Sequence, residues 1–285
     1  MRFDYLQPAT LDECVALLKK YGRGAKVIAG GTDLVPNVRA RLLDPECVVD
    51  ITGIPELGGI EEDDRGVRLG AAVTVRDVSE SPLIKERYPL LATACSLIGS
   101  VGIRNVGTIG GNVCRASPSS ECSPPLLCLG AEARIAGPAG ERTIRLDECF
   151  LSPGCTTLEP VEVLCEILLP PSPPGTKGVY LKHSQRGSID LAIVGVAAVG
   201  TFAADDGTCE DIKIALGAVA PTPLRARSAE RVLQGKVFDD GLVAVAAEAA
   251  RAEARPISDV RASAEYRQEM VGVFVRRALR AVRPD

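Results

Sequence analysis

Ile28-Ala29-Gly30-Gly31-Thr32-Asp33-Leu34 is the stretch that decides how this chain is read. It closes a short apolar run, Lys26-Val27-Ile28-Ala29, that reads as a buried strand. Paired glycines after a strand let the backbone approach a ligand with no Cβ between. They also let successive N–H groups converge on one anionic oxygen. A second glycine pair lies far along the chain, in Thr108-Ile109-Gly110-Gly111-Asn112. It runs on through Ala116-Ser117-Pro118-Ser119-Ser120-Glu121. One such turn suits one phosphate. Two of them, with no lysine in either, point to a pyrophosphate held by backbone and hydroxyl donors. Neither shows the Rossmann G-x-G-x-x-G or the Walker G-x-x-x-x-G-K-[ST] spacing, which disfavours both of those sites. Taken singly, each pair also fits an ordinary tight turn.

Around the first turn the pattern is a small βαβ-like unit. Leu11 to Tyr21 carries apolar residues at helical spacing, with Thr10 as N-cap and Gly22 as stop. Leu34 to Leu42 reads as a short helix or turn, and Val48 to Ile51 as a second strand. Gly59 to Glu61 and Val67 to Gly70 flank the acidic tip Glu62 to Gly66 and predict a hairpin. Thr74 caps a helix starting at Val75, and Leu90 to Ser100 is a further helix. Leu126 to Leu129 and Ala133 to Ile135 lead into a hairpin across Gly137 to Gly140. Pro170-Pro171-Ser172-Pro173-Pro174-Gly175 cannot continue a helix or a central strand and marks a domain boundary. Beyond it, strands at 178–183, 191–202 and 211–216 precede helices at 228–233, 242–254 and 264–282. Strands followed by helices fit a small α+β domain with a three-stranded sheet.

The 285 residues are 46% hydrophobic and 25% charged, ordinary for a soluble globular chain. The net charge of −4, with no basic run, argues against nucleic acid as a partner. No apolar stretch reaches the roughly 20 residues of a membrane span. Met1-Arg2-Phe3-Asp4-Tyr5 lacks the apolar core of a signal peptide, so the cytoplasm is expected. Ten cysteines occur and none is spaced C-x-x-C, which leaves the common zinc and iron–sulfur signatures absent. They read either as small buried apolar side chains or as a cluster drawn from Cys114, Cys122, Cys128, Cys149 and Cys155. His183, the only histidine, has no base–nucleophile partner in sequence and reads as structural. No residue is assigned a catalytic or metal-binding role.

Considered together, the motifs resemble one family. Ala29 to Leu34, Ile103-Arg104-Asn105-Val106-Gly107-Thr108-Ile109-Gly110-Gly111-Asn112 and Ala116-Ser117-Pro118 are similar to the flavin-binding medium subunit of the molybdenum hydroxylases. Ala264-Glu265-Tyr266-Arg267 and Val275-Arg276-Arg277-Ala278-Leu279 resemble that family's closing helix. The resemblance spans nearly the whole chain. It implies an α+β fold: a two-part FAD-binding domain of the vanillyl-alcohol oxidase (PCMH) type over residues 1–174, followed by a C-terminal α+β domain over 175–285. The first part is 1–56 and the second 57–174.

The resemblance also implies the site. Ile28 to Leu34, with Gly107, Thr108, Gly110, Gly111 and Asn112, are expected to hold the pyrophosphate of a noncovalent FAD. Glu121, where several relatives carry Asp, is expected on the polar side of the flavin region. Lys182 is expected to reach the cofactor, with Leu164, Ile98 and Leu191 lying near the ring. The implied partners are a large subunit with a molybdenum–pterin cofactor and a small subunit with 2Fe–2S clusters, assembled as a dimer of heterotrimers. The FAD then passes electrons from those clusters to an external acceptor, so the chain is an oxidoreductase subunit. No insertion that would house an additional 4Fe–4S cluster follows Glu121. Two alternatives stand beside this reading: a self-contained FAD oxidase, and an assembly module without FAD.

Overall fold

The computed structural model describes residues 3–187 and 189–284, so Met1 and Arg2 of the leader reading lie outside the described residues. In chain order the first elements are β1 (Asp4–Leu6), α1 (Leu11–Tyr21), β2 (Ala25–Ile28), α2 (Leu34–Arg39) and β3 (Cys47–Asp50). Next come β4 (Ile60–Asp63), β5 (Gly66–Gly70), α3 (Val75–Glu80), α4 (Pro82–Arg87), α5 (Pro89–Ser96), α6 (Val101–Arg104) and α7 (Ile109–Cys114). Then follow α8 (Ser123–Leu129), β6 (Glu132–Gly137), β7 (Gly140–Arg145), β8 (Phe150–Ser152), β9 (Cys155–Thr156) and β10 (Val163–Leu169). The chain closes with β11 (Thr176–His183), β12 (Val194–Phe202), β13 (Cys209–Gly217), β14 (Leu224–Arg225), α9 (Arg227–Leu233), α10 (Asp240–Glu253) and α11 (Ala264–Val282). These elements form two compact units with interleaved segments: Met1–Val78, Ser100–Ala116 and Ala131–Pro170; and Ser79–Gly99, Ser117–Gly130 and Pro171–Asp285.

In the first unit, β1, β3 and β2 lie parallel in that order. Thr10 caps α1 by accepting from Glu13 N–H at 3.2 Å, and α1 buries Cys14 and Leu18 in a core with Val49, Ile51, Leu57 and Cys165. The second sheet is antiparallel, β4-β5-β10-β6-β7. A charge ladder follows that strand order. Glu61 meets Arg68 at 3.4 Å, and Arg68 meets Glu166 at 3.0 Å. Glu166 meets Arg134 at 3.0 Å, and Arg134 meets Glu141 at 2.7 Å. Burial opposes the charge on Glu166, but bonds and charge from Arg134 and Arg68 outweigh it and hold its carboxyl below the usual range.

In the second unit, β11-β12-β13-β14 is an antiparallel sheet of four strands rather than the expected three. The fourth has only two residues, too few to leave a periodic signal. Val194, Val196 and Ala198 of β12 and Ile212, Ile214 and Leu216 of β13 join the core formed with α9, α10 and α11. Cys128 on α8 donates its thiol to the carbonyls of Ala197 and Lys213. A Cβ on Gly178 of β11 would lie 3.2 Å from Leu90 of α5. Both faces of the sheet are therefore covered, which explains why all nine residues of β12 are buried. It also explains why Ser79–Gly99 and Ser117–Gly130 group with the C-terminal segment although they precede the proline-rich stretch.

The larger departures from the sequence reading are three element boundaries and one strand that it did not give. The helix at 90–100 ends at Ser96, with Gly99 in the left-handed region at φ 45°. The strand expected from Leu191 starts at Val194, because the chain before it turns at Ile189, φ 54°. Leu34 to Leu42 is helical only to Arg39, and Arg41 takes φ 58°. The run Val163–Leu169 is the central strand β10, buried at six of its seven positions. Apart from Glu166 the run is apolar, and buried on both faces it carries no alternation to mark it as a strand.

Candidate functional site

The first glycine turn leaves the end of β2. Gly31 has φ 66°, a conformation that L side chains rarely adopt. A Cβ on Gly30 would lie 2.0 Å from the Val106 carbonyl oxygen and 2.7 Å from Gly107 Cα. The two glycine motifs, far apart in sequence, are therefore in backbone contact. Among the described residues, the N–H groups of Gly30, Gly31, Thr32 and Asp33 donate to no protein acceptor. The turn's carbonyls, in contrast, start α2: Gly31 accepts from Val35 N–H at 3.0 Å and Asp33 from Asn37 N–H at 3.2 Å. A cluster of unpaired donors suits an anionic oxygen.

The second motif is built differently from the expected anion-binding turn. It is the start of α7, with Thr108 as N-cap. Thr108 Oγ1 accepts from Gly111 N–H at 3.0 Å, and its carbonyl accepts from Asn112 N–H at 2.9 Å. Ile109 N–H donates to Val73 O at 2.9 Å and Gly110 N–H to Ala71 O at 3.0 Å. These four N–H groups are used within the fold. Gly110 is needed for packing, since a Cβ there would stand 2.6 Å from Ala71 O. Of the glycines here, only Gly111 is exposed. The motif therefore shapes the floor beside the first turn, while the free donors come from Gly30 to Asp33. Leu164, also in this unit, is buried in β10.

The second unit carries the other expected residues. Lys182 on β11 is not a solvated charge. Its ammonium donates to Glu121 Oε1 at 2.8 Å, Leu97 O at 3.0 Å and Asp190 O at 2.7 Å. Three donors meet three acceptors, and both side chains of the pair are more than nine-tenths buried. Burial pushes the Glu121 carboxyl up from its usual range, against the pull of Lys182. Tyr180, two residues before Lys182 on β11, is fully enclosed, and burial, with the charge of Glu121 adding to it, raises its phenol well above normal. Gly195 makes room for it: a Cβ there would lie 2.9 Å from the Tyr180 hydroxyl. Ile98 is buried, whereas Leu191 is 45% exposed, outside any strand. His183 stacks on Phe274 and its Nε2 lies 3.0 Å from the Tyr266 hydroxyl, a structural arrangement. The ten cysteines are free thiols, eight of them buried, and no metal-holding group of His, Cys, Asp and Glu occurs among the described residues.

With this geometry in hand, two family profiles cover the chain. The FAD binding domain in molybdopterin dehydrogenase matches residues 1–172, and the CO dehydrogenase flavoprotein C-terminal domain matches 179–282. The chain belongs to the FAD-binding subunits of the molybdopterin dehydrogenases. The carbon monoxide dehydrogenase medium chain of Hydrogenophaga pseudoflava is 40% identical over 98% of this chain and 96% of its own. The xanthine dehydrogenase FAD-binding subunit of Escherichia coli O157:H7 is 30% identical over 96% of this chain and 94% of its own. A solved carbon monoxide dehydrogenase structure from Hydrogenophaga pseudoflava superposes with a TM-score of 0.95, covering 99% of this chain and 97% of that one. Quinoline 2-oxidoreductase from Pseudomonas putida 86 gives 0.91 at 31% identity, covering 99% and 97%. The expected fold and family are those found.

Sequence reasoning missed three features of the site. Arg115 pairs with Asp33 across 82 positions, Asp190 serves through its carbonyl rather than its side chain, and Tyr180 is shut in beside the ion pair. None belongs to a motif, and a carbonyl contact carries no residue-type signal.

Proposed function

We propose that this chain is the FAD-carrying electron-transfer subunit of a molybdenum-containing hydroxylase or dehydrogenase complex. The observation that carries the reading is the Gly30 to Asp33 turn, whose N–H donors have no protein acceptor among the described residues, in a chain of this family. Bound FAD supplies redox chemistry that passes between one- and two-electron carriers. The chain's own residues bind and orient. Gly30, Gly31, Thr32 and Asp33 hold the pyrophosphate by N–H groups, with Ile28, Ala29 and Leu34 framing the turn. Gly107, Thr108, Gly110, Gly111 and Asn112 support it from the side. Glu121 and Lys182 present a fixed, buried ion pair to the polar side of the flavin, and Leu164, Ile98 and Leu191 supply apolar surface.

No base is assigned to this chain, so substrate oxidation falls to a molybdenum–pterin large subunit. Electrons arrive through the 2Fe–2S clusters of a small subunit and leave to an external acceptor. A dimer of heterotrimers in the cytoplasm is the assembly we propose. Among the described residues no helix is long and apolar enough to cross a membrane.

The test is to purify the chain alone, record its visible spectrum and release the cofactor with acid. Noncovalent FAD near one per chain, without iron–sulfur absorbance and without turnover of small-molecule substrates, is the expected result. Substrate turnover by the isolated chain would replace this reading with a self-contained oxidase. Absence of flavin after reconstitution would overturn the reading of the glycine turn.

A further inference from the structure

The Gly30 to Asp33 turn has an internal conflict. Its N–H groups suit an anion, yet it carries a carboxylate of its own at Asp33. That carboxylate does not cap α2: the residue sits at the N-cap position without a side-chain hydrogen bond to the helix. It is paired instead with Arg115, whose Nε lies 3.0 Å from Asp33 Oδ1.

Arg115 is held in place by an unusual piece of backbone. It ends α7, and the next residue, Ala116, takes φ 46°, uncommon for a residue with a Cβ. Ala116 N–H donates to Val113 O at 2.9 Å, and its carbonyl accepts from Gly154 N–H at 3.0 Å. Gly154, itself at φ 77°, leaves space for the guanidinium, since a Cβ there would lie 3.2 Å from Arg115 Nη1. The strained residue and the glycine notch together fix where Arg115 leaves the helix. Both partners of the ion pair are about half exposed, so the pair adds little to folding stability. Its position at the anion-binding turn gives it a different use.

We propose that Arg115 is a charge-compensating residue: it neutralises Asp33 so that the turn accepts the FAD pyrophosphate. This rests on the reading of the turn as the pyrophosphate site. Arg115 acts through Asp33 and is not itself the phosphate ligand. Without it, an unpaired carboxylate stands within the turn and repels the incoming anion.

The experiment is a titration of the flavin-free full chain with FAD at low ionic strength, followed by flavin fluorescence. Arg115→Ala is expected to weaken FAD binding about fivefold, an effect that shrinks as salt rises. Arg115→Lys stays within about twofold of the parent, because it retains the charge. Asp33→Asn combined with Arg115→Ala restores affinity, because the charge needing compensation is gone. The unfolding midpoint of the flavin-free chain is unmoved in all three variants, which separates this role from a structural one. Unchanged affinity in Arg115→Ala overturns the proposal. So does weak binding that Asp33→Asn fails to rescue, which would make Arg115 a direct phosphate contact. Failure of the parent chain itself to bind FAD would instead remove the pyrophosphate reading, and the proposal with it.

Discussion

Lys182→Met tests the buried ion pair of the second unit. The change keeps side-chain length but removes three donors and a charge, leaving Glu121 enclosed without its cation. Two outcomes compete for Glu121. Remaining ionised forfeits an attraction of about 6 kcal/mol, taking the 2.8 Å separation and an effective dielectric of about 20. Taking up a proton costs about 1.4 kcal/mol for each pH unit above the unfolded carboxyl's value of about 4.3. At about pH 7.5 that is about 4 kcal/mol, so protonation is the less costly route. The sign follows from linkage. The variant's folded state holds a proton that its unfolded state has released, so its stability falls as pH rises above about 4.3. The variant's own penalty from the protonated carboxyl is therefore about 4 kcal/mol near pH 7.5 and about 1 kcal/mol near pH 5. The parent, whose Glu121 carboxyl burial already lifts, carries part of it, so the gap between them is smaller but widens as pH rises, apart from the lost hydrogen bonds to Leu97 and Asp190. Urea unfolding of the flavin-free chain, followed by circular dichroism across this range, reads the difference directly. Lys182→Met combined with Glu121→Gln removes the titrating group and flattens the pH dependence. A deficit that is the same at both pH values, or unchanged by the second substitution, would refute the reasoning.

Three further outcomes follow from the same geometry. Gly30→Ala forces a Cβ to within 2.0 Å of the Val106 carbonyl, so it destabilises by at least the about 1–3 kcal/mol typical of overpacking. Gly53→Ala, with nothing within 4 Å, is the matched control, and equal thermal midpoints for the two would sink the argument. Glu166→Gln removes the centre of the five-membered charge ladder and costs about 3 kcal/mol near neutral pH. Because the folded Glu166 carboxyl lies below its unfolded value, its contribution is present above about pH 4.3 and is lost as pH falls through the folded value. The variant's deficit should thus shrink in acid, and a constant deficit counts against the ladder. Finally, Lys182→Ala lowers the potential of bound flavin, since a positive charge favours the anionic reduced form. An unchanged potential in a variant that still holds FAD would detach Lys182 from the flavin.

Local signals were legible wherever short-range physics sets the outcome. Thr10 capping α1, the hairpin about Glu62 to Gly66 and the long amphipathic α11 are all consequences of neighbours a few residues apart. The second glycine motif was not legible as a helix, because glycine disfavours helices. Its N-cap threonine and the close packing of Gly110 against Ala71 override that preference. The sequence showed Lys182 and Glu121 as separate residues. Only tertiary packing, 61 positions apart, joined them and enclosed them.

By itself, then, the sequence determined the family, the two glycine motifs, and most helices and strands, because each depends on residue identity and local spacing. Tertiary structure decided which glycine motif keeps its donors free. A backbone N–H looks the same in both motifs until the fold brings, or fails to bring, an acceptor to it: Val73 and Ala71 reach the second, and no carbonyl of the described residues reaches Gly30 to Asp33.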